Sequence, residues 1–421
     1  MFGREGFILK KNAGLILLAA AVLFLIFTVL QKDEEKKSDI LNVKEYGAEG
    51  NGKTDDTEAI QKALDEGSYK KVYLPKGNYK ISQALKVKEQ TEVYSEGASI
   101  FSGSGLDSVI RVNGDHVHIH DLTVDGKSRT LKGITVEAGS SHTHVSKSIL
   151  QNFNQPENSE LSRQTVAAFR VEGSTNHTTL DQSRINNVMA RNPIKGWEHH
   201  VSRGVLISPA SKEQTTAKNV TVSNTSFSGI GPKDDGDGIV VQGFKGNVGL
   251  TVTANTFTNV HKRAIKIQSP GAVIQKNTIY NSFRKNNHYT TYYDPHKYDM
   301  WAAVSVYADD VSIKQNSISG SGDYGRIIDV SNASNILIES NYIENGRKGN
   351  YADSSVVYIT ADRKGDSSNI TVANNTLANG RYGIFADRNS TKITASNNRP
   401  INVKDYQNKA LKKKAAELAE E

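Results

Sequence analysis

The 421-residue chain contains no cysteine, only 8 prolines and 3 methionines, and a hydrophobic fraction of just 37%. Without cysteine there are no disulfides to hold an exported protein together and no thiolate chemistry, so stability must come from backbone pairing and an apolar interior. The low apolar content argues against a helical bundle. Many short strands joined by polar turns fit it instead. Also missing are a pair of histidines at metal-ligand spacing and a phosphate-binding loop: Gly103-Ser-Gly-Leu-Asp107 has glycines but no lysine.

What is present is repetition. Asn255-Thr-Phe, Asn277-Thr-Ile, Asn316-Ser-Ile, Asn341-Tyr-Ile and Asn375-Thr-Leu recur after short alternating segments, the mark of a solenoid. Between them lie Gly238-Ile-Val-Val, Ala264-Ile-Lys-Ile, Ala303-Val-Ser-Val, Ile327-Ile-Asp-Val, Val356-Val-Tyr-Ile and Gly383-Ile-Phe-Ala. Two or three short strands per turn, stacked on themselves, predict an all-β, right-handed, single-stranded parallel β-helix. An amide at the same turn of successive coils can bond the coils above and below, which makes the asparagines scaffold residues. Since a solenoid grows along one axis, the length requires only one domain.

Ala13 to Leu30 is an almost unbroken apolar run following Arg4, Lys10 and Lys11. It is long enough for a transmembrane helix. The basic flank places the N-terminus in the cytoplasm. The expected organisation is a cytoplasmic segment (1–12), a membrane anchor (13–30), a linker (31–40), an extracytoplasmic β-helix (41–403) and a charged C-terminal helix or tail (404–421). Secretion after cleavage is the alternative, but no small-x-small site follows the run.

At the entry to the solenoid, Asp55 and Glu58 have the spacing of a capping box before a helix whose Ile60, Ala63 and Leu64 share one face. Such a helix would cover the open strand edges of the first coil. The stretch Val43-Lys-Glu-Tyr-Gly-Ala-Glu-Gly-Asn-Gly-Lys-Thr-Asp-Asp-Thr-Glu-Ala-Ile-Gln-Lys-Ala-Leu64, followed by Val72-Tyr-Leu-Pro-Lys-Gly-Asn-Tyr-Lys-Ile81, resembles the opening of the pectate-lyase-like superfamily of right-handed parallel β-helix proteins. The resemblance implies a polysaccharide partner and leaves open whether the chemistry is that of a polygalacturonase, rhamnogalacturonase, uronan lyase, epimerase or tailspike. Fold does not fix function.

Aligning the strand runs by their inward pairs (Val205/Ile207, Ile239/Val241, Ile265/Ile267, Val304/Val306, Ile328/Val330, Val357/Ile359) leaves outward columns. One holds Arg170, Leu206, Val240, Lys266, Ser305, Asp329 and Tyr358; another holds Gln268 and Tyr307. A turn column reads Arg203, Asp237, Arg263, Ala302 and Arg326, and so many charges imply a bend that turns them outward. Insertions at Gln151 to Thr165, Arg191 to Ser202 and Ser282 to Trp301 would cluster on the same side.

Three chemistries fit these residues. Asp234, Asp235 and Asp237, one coil before His261, Arg263 and Lys266, resemble the polygalacturonase arrangement, in which carboxylates act as acid and base and a basic pair holds a uronate. A β-elimination site instead needs cations on the uronate carboxylate and a base at the neighbouring carbon. There Lys266 is the first choice for base and Arg263 for carboxylate binding, with Arg326, His261, Tyr307, Tyr358 and Asp329 around them. The Asp234 to Asp237 oxygens could hold Ca²⁺. Finally, Asp294-Pro-His296, beside Tyr292, is similar to the motif of mannuronan C5-epimerases. More cations than paired acids, and a net charge of +7, favour an anionic, uronate-containing polysaccharide and lyase chemistry. No nucleic-acid partner is expected. A non-catalytic glycan-binding surface protein is the alternative from a different class.

Overall fold

The structure, a computed structural model, describes residues 39–157, 159–232, 234–281, 302–320, 326–345, 354–362 and 365–413. Residues 13–30, expected to cross a membrane, lie outside these, as do Tyr292, Asp294 and His296. Among the described residues no helix is long and apolar enough to span a membrane.

The chain from Asn42 onward winds into a parallel β-helix with three strands per coil. Successive coils stack their strands into three parallel ladders. The first runs from Lys71–Leu74 through Ser141–Ser146 to Ile393–Ser396, and the second from Asn51–Asp55 through Ser226–Gly231 to Arg399–Gln407. The third, which carries the site, includes Val166–Val171, Val201–Ile207, Asp235–Gln242, Arg263–Gln268, Val304–Val306, Arg326–Ser331 and Ser355–Thr360. All pairings in this ladder are parallel, and they align Val205, Ile239, Ile265, Val304, Ile328 and Val357 as one column. Every one of these six side chains is fully buried. Alternation thus fills the interior with β-branched residues that suit a pleated surface.

The asparagines are the scaffold their recurrence implied. The side-chain amide of each of Asn255, Asn277, Asn316 and Asn341 donates at 2.9–3.0 Å to the side-chain oxygen of the next asparagine, and Asn375 continues to Asn398 at 2.9 Å. The same amides also donate to strand carbonyls such as Val222 O at 2.8 Å and Ile274 O at 3.0 Å. Earlier coils place hydroxyls at this position: Ser183 N donates to Thr225 Oγ1 at 3.3 Å and Thr225 N to Asn255 Oδ1 at 3.0 Å.

Both ends are closed. Helix Thr57–Asp65 buries Thr57, Ile60, Ala63 and Leu64. Its Gln61 exchanges two hydrogen bonds with the backbone of Lys86 (2.9 and 3.1 Å), capping the edge of strand Leu85–Val87. The expected capping box is off by one residue, because the N-cap is Asp56. Its carboxylate accepts from Glu49 N and Gly50 N at 2.6 and 3.0 Å and gives no cap bond to the helix, while Asp55 Oδ1 accepts from Thr57 N at 3.1 Å. At the far end the last strand continues to Gln407, beyond the expected limit at residue 403, and Asn408 then pairs with both the N–H and the carbonyl of Ala386 (3.2 and 2.7 Å).

Candidate functional site

Strict alternation would send Arg203, Asp237 and Arg263 inward, next to Val205, Ile239 and Ile265. They escape because the chain bends at the following residue. A Cβ on Gly204 would point at Phe227 and Ile230 of the interior and meet Gly238 O at 2.5 Å; one on Gly238 would meet Ala264 O at 2.5 Å and Phe257 at 3.0 Å. Residues 204 and 205 therefore both face inward, and 203 turns out. Register then stacks Arg203, Asp237 and Arg263 in adjacent coils.

These outward charges are covered all the same: Arg203, Asp235, Asp237 and Arg263 are 0–5% exposed. Arg263 donates from Nη2 to Asp235 at 2.5 Å and from Nε to Asp237 at 2.8 Å. Arg203 pairs with the other oxygen of Asp235 and bonds its carbonyl. Its Nη1 lies 3.2 Å from Asp237 Oδ2, off the line of a hydrogen bond, so that contact is purely ionic. Lys262 Nζ reaches Asp235 at 3.2 Å. Burial opposes ionisation of Asp235, but Arg203, Lys262, Arg263 and Lys266 outweigh it and hold its pKa far below the usual carboxylate range. Burial likewise disfavours the Arg263 charge, and Asp237 and Asp235 overcome it, raising its pKa. Arg263, expected to bind substrate carboxylate, is thus already neutralised through two of its nitrogens.

Lys266 differs. It is 5% exposed, and among the described residues it makes neither a hydrogen bond nor an ion pair. Burial and the neighbouring Arg263 lower its pKa to about 8 against the pull of Asp237 and Asp235. Register places Lys266 next to Ser305, and Ser305 next to Asp329. Tyr307, on the same outer face, donates to Asp329 Oδ2 at 2.7 Å, and Arg326 Nη1 approaches Asp329 Oδ1 at 3.1 Å. Burial and Asp329 push the Tyr307 phenol up to about 12. Arg326 stacks over Tyr358 at 4.2 Å, and Tyr358 in turn stacks on Phe385 at 4.9 Å.

Other expectations are revised. His261 is 3% exposed, its ring packed where any Cβ on Gly231 would fall, 2.6 Å away, so it packs against the turn at Gly231. The three aspartates form no oxygen cage. Asp234 accepts from His199 Nδ1 and His200 N, both at 2.7 Å, while Asp235 and Asp237 face the arginines. Among the described residues no three acidic or histidine side chains converge on a metal-sized point. With every carboxylate already matched to a cation or a histidine, these donors do not fit Ca²⁺.

Sequence reading missed the part played by Lys262 and the tie from His199 and His200 to Asp234. The adjacent Lys262-Arg263 pair was the available signal for the first. The tie anchors one insertion beside the site. Buried Gln155 joins that insertion to the other, donating to Gln164 O and Asn192 O (3.1 and 2.9 Å) and accepting from Arg191 N (2.7 Å). Together the insertions wall a cleft of about 440 Å³ over the outer face, lined by Lys132, Arg163, Arg170, Lys195, Leu206 and Gln242 among others.

Comparison with known proteins agrees with this architecture. A pre-neck appendage protein of Bacillus phage B103 is 31% identical over 137 residues, which is 29% of this chain and 16% of that protein. Alginate lyase 7 of Azotobacter vinelandii is 36% identical over 113 residues, 22% of this chain and 13% of that protein. The matched stretches therefore span a small part of either relative. Among solved structures, the Streptococcus pneumoniae surface adhesin PfbA superposes with a TM-score of 0.69 at 18% identity, covering 87% of this chain and 91% of that one, a likeness of fold. The model of right-handed β-helix regions matches residues 203–415. Residues 40–290 match the rhamnogalacturonase A/epimerase, pectate-lyase-like family, and the chain belongs to it.

Proposed function

We propose that the protein processes an anionic, uronate-containing polysaccharide by β-elimination, with Lys266 as base. The observation that carries this reading is a nearly buried lysine without a partner among the described residues, its pKa lowered to about 8, set among an excess of cations. Around it, among the described residues, Arg203, Lys262 and Arg263 pair with just the carboxylates of Asp235 and Asp237, so an added carboxylate would be drawn in. The neutral amine of Lys266 takes the proton from the carbon beside the uronate carboxylate. That electron pair becomes the new double bond, the glycosidic C–O bond breaks, and the departing oxygen takes a proton from the Tyr307 phenol. Returning a proton to that carbon from the opposite face, with the glycosidic bond left intact, would be epimerisation. Hydrolysis fits less well, since it needs a carboxyl that stays protonated and Asp235 is driven the other way. Relatedness to alginate lyase 7 over 113 residues is consistent with lyase chemistry.

A second reading, a non-catalytic glycan-binding surface protein, draws on the fact that Arg203, Asp235, Asp237 and Arg263 satisfy one another as a structural ladder would. A panel of uronans, with and without Ca²⁺, separates the two. Ultraviolet-absorbing unsaturated products with new reducing ends support the lyase, reducing ends alone mean hydrolysis, and binding without either product means the second reading.

We also propose that residues 13–30 tether the domain outside the cytoplasmic membrane, on the strength of their apolar run and basic flank. Fractionation should place the full chain in the membrane and a form without residues 1–38 in the soluble fraction. A secreted form cut near Leu30 would overturn the anchor.

A further inference from the structure

Arg170 lies in the same outward column as Lys266, three coils earlier through Leu206 and Val240. At about 4.8 Å per coil the two positions are roughly 14 Å apart along the solenoid axis. Arg170 is 8% exposed, and every hydrogen bond it makes goes to a neutral acceptor: Ser208 Oγ at 2.8 Å, Ser208 O at 3.1 Å and Pro209 O at 3.2 Å. Among the described residues no carboxylate pairs with it. A buried guanidinium without a counter-ion is costly, and its burial lowers its pKa, with partial relief from Glu172 and Asp107. Glu172, the single acid in the cleft, is held elsewhere by Gln214 at 3.0 Å.

Of the cations around Arg170, exposed Lys195 adds to the imbalance, whereas Lys132 at the cleft wall is paired with Asp107 and Arg163, reaching in from one insertion, is paired with Glu198. Leu206 gives the floor an apolar surface, continuous with buried Ala167 and Val240. A volume of about 440 Å³ lies within the range of small-ligand sites. An apolar floor for a sugar ring and an unneutralised arginine for its acid group are what a uronate unit requires.

We propose that the Arg170 cleft is a second carboxylate-binding site, separate from the Lys266 centre. The ligand is then a polymer bearing carboxylates on more than one unit, laid along the solenoid axis from Arg170 towards Lys266. This rests on the reading of the Lys266 face as the place where an acidic glycan is processed. It adds that short oligomers reach only one of the two sites, whereas longer ones bridge both and gain from their effective concentration.

The test is calorimetric binding of galacturonate and mannuronate oligomers of increasing length, with carboxyl-reduced oligomers as controls, to the full chain and to Arg170→Gln and Lys195→Gln. Lys195 is exposed, so its variant keeps the test decisive if Arg170→Gln fails to fold. The expected result is a loss of about tenfold in affinity for long oligomers in both variants, little change for disaccharides, and weak binding of the carboxyl-reduced chains. Unchanged affinity of both variants for long oligomers would overturn the proposal, as would equal binding of the carboxyl-reduced chains. Length-dependent loss without any turnover by the unaltered protein would leave this site standing and remove the lyase reading. Normal turnover with unchanged affinity in both variants would do the reverse.

Discussion

Two groups of charged residues sit side by side on the outer face of one sheet, built from the same residue types, and they behave oppositely. Around Asp235 and Asp237 every carboxylate faces arginine or lysine, and the cluster is sealed to 0–5% exposure. One and three coils on, Lys266 and Asp329 share a column in which, among the described residues, the lysine has no partner and the aspartate holds a phenol and an arginine. A closed network matches each of its carboxylates internally and so contributes to the fold. An open one keeps a charge imbalance that a ligand can relieve. Where pairs close depends on the bend at Gly204 and Gly238, which lets two arginines bracket Asp237, whereas Lys266 is opposed by Val240 and Ser305, neither of which carries charge.

The sharpest way to break this contrast is to remove Lys266. Lys266→Met should lower turnover of the cleaved uronan about 10²- to 10⁴-fold, the range for loss of a general base. Its urea midpoint should stay level or rise, because a buried charge with no partner among the described residues is lost. A variant that keeps its activity, or that unfolds, would put Lys266 with the structural ladder.

The same test on the closed group should give the opposite result. Asp237→Asn leaves buried Arg203 and Arg263 with the Asp235 carboxylate alone between them, and removing one member of a buried ion pair costs about 3–5 kcal/mol. Urea denaturation should register that loss, and a change below about 1 kcal/mol would show that the network does not support the fold.

How far the sequence disclosed this follows from the same physics. Inward pairs and outward columns were legible because strand alternation has a fixed period, and the register reproduces the column from Arg170 to Tyr358 residue by residue. The asparagine scaffold was legible wherever Asn precedes a hydroxylic or aromatic residue and then an apolar one. It was missed at Asn398, where Arg399 and Pro400 follow and the pattern breaks although the bond remains. Which charges would pair was not legible. That choice is made by side chains reaching across coils, such as Lys262 to Asp235 and His199 to Asp234, 27 and 35 residues apart. No local spacing encodes it.

A smaller effect separates scaffold from site. Asn316 donates to Ile274 O, Lys314 O and Asn341 Oδ1, and accepts from the backbone and amide of Asn277. Asn316→Ala strands several buried polar groups, each worth about 1–3 kcal/mol if unpaired, partly offset by relaxation. A loss of about 3 kcal/mol with no change in turnover per folded molecule is expected, measured by denaturation alongside a specific-activity assay.

The gentlest probe of the open group is pH. Lys266, at about 8 in the folded protein, returns to about 10.4 when unfolded. Between those values the unfolded chain binds more protons, so stability rises with pH across that window and this contribution is flat below it. Tyr307 acts in the other direction: it is held at about 12 in the fold against about 10 unfolded, so above pH 10 the folded chain binds more protons and stability falls. The two opposing slopes predict a maximum near pH 10 in the part of the stability curve that these residues supply. Each contributes on the order of 3 kcal/mol, since a one-unit change in pKa is worth about 1.4 kcal/mol. Largely buried Lys132 and Lys262 are shifted in the same direction as Lys266, and Tyr79 in the same direction as Tyr307, so chemical denaturation across pH 7 to 11 should show the rising arm shrink in Lys266→Met and the falling arm shrink in Tyr307→Phe. If Lys266→Met leaves the rising arm undiminished, the amine is not held in a strained, charge-crowded environment, and the distinction between the open and closed groups fails at the residue on which it depends.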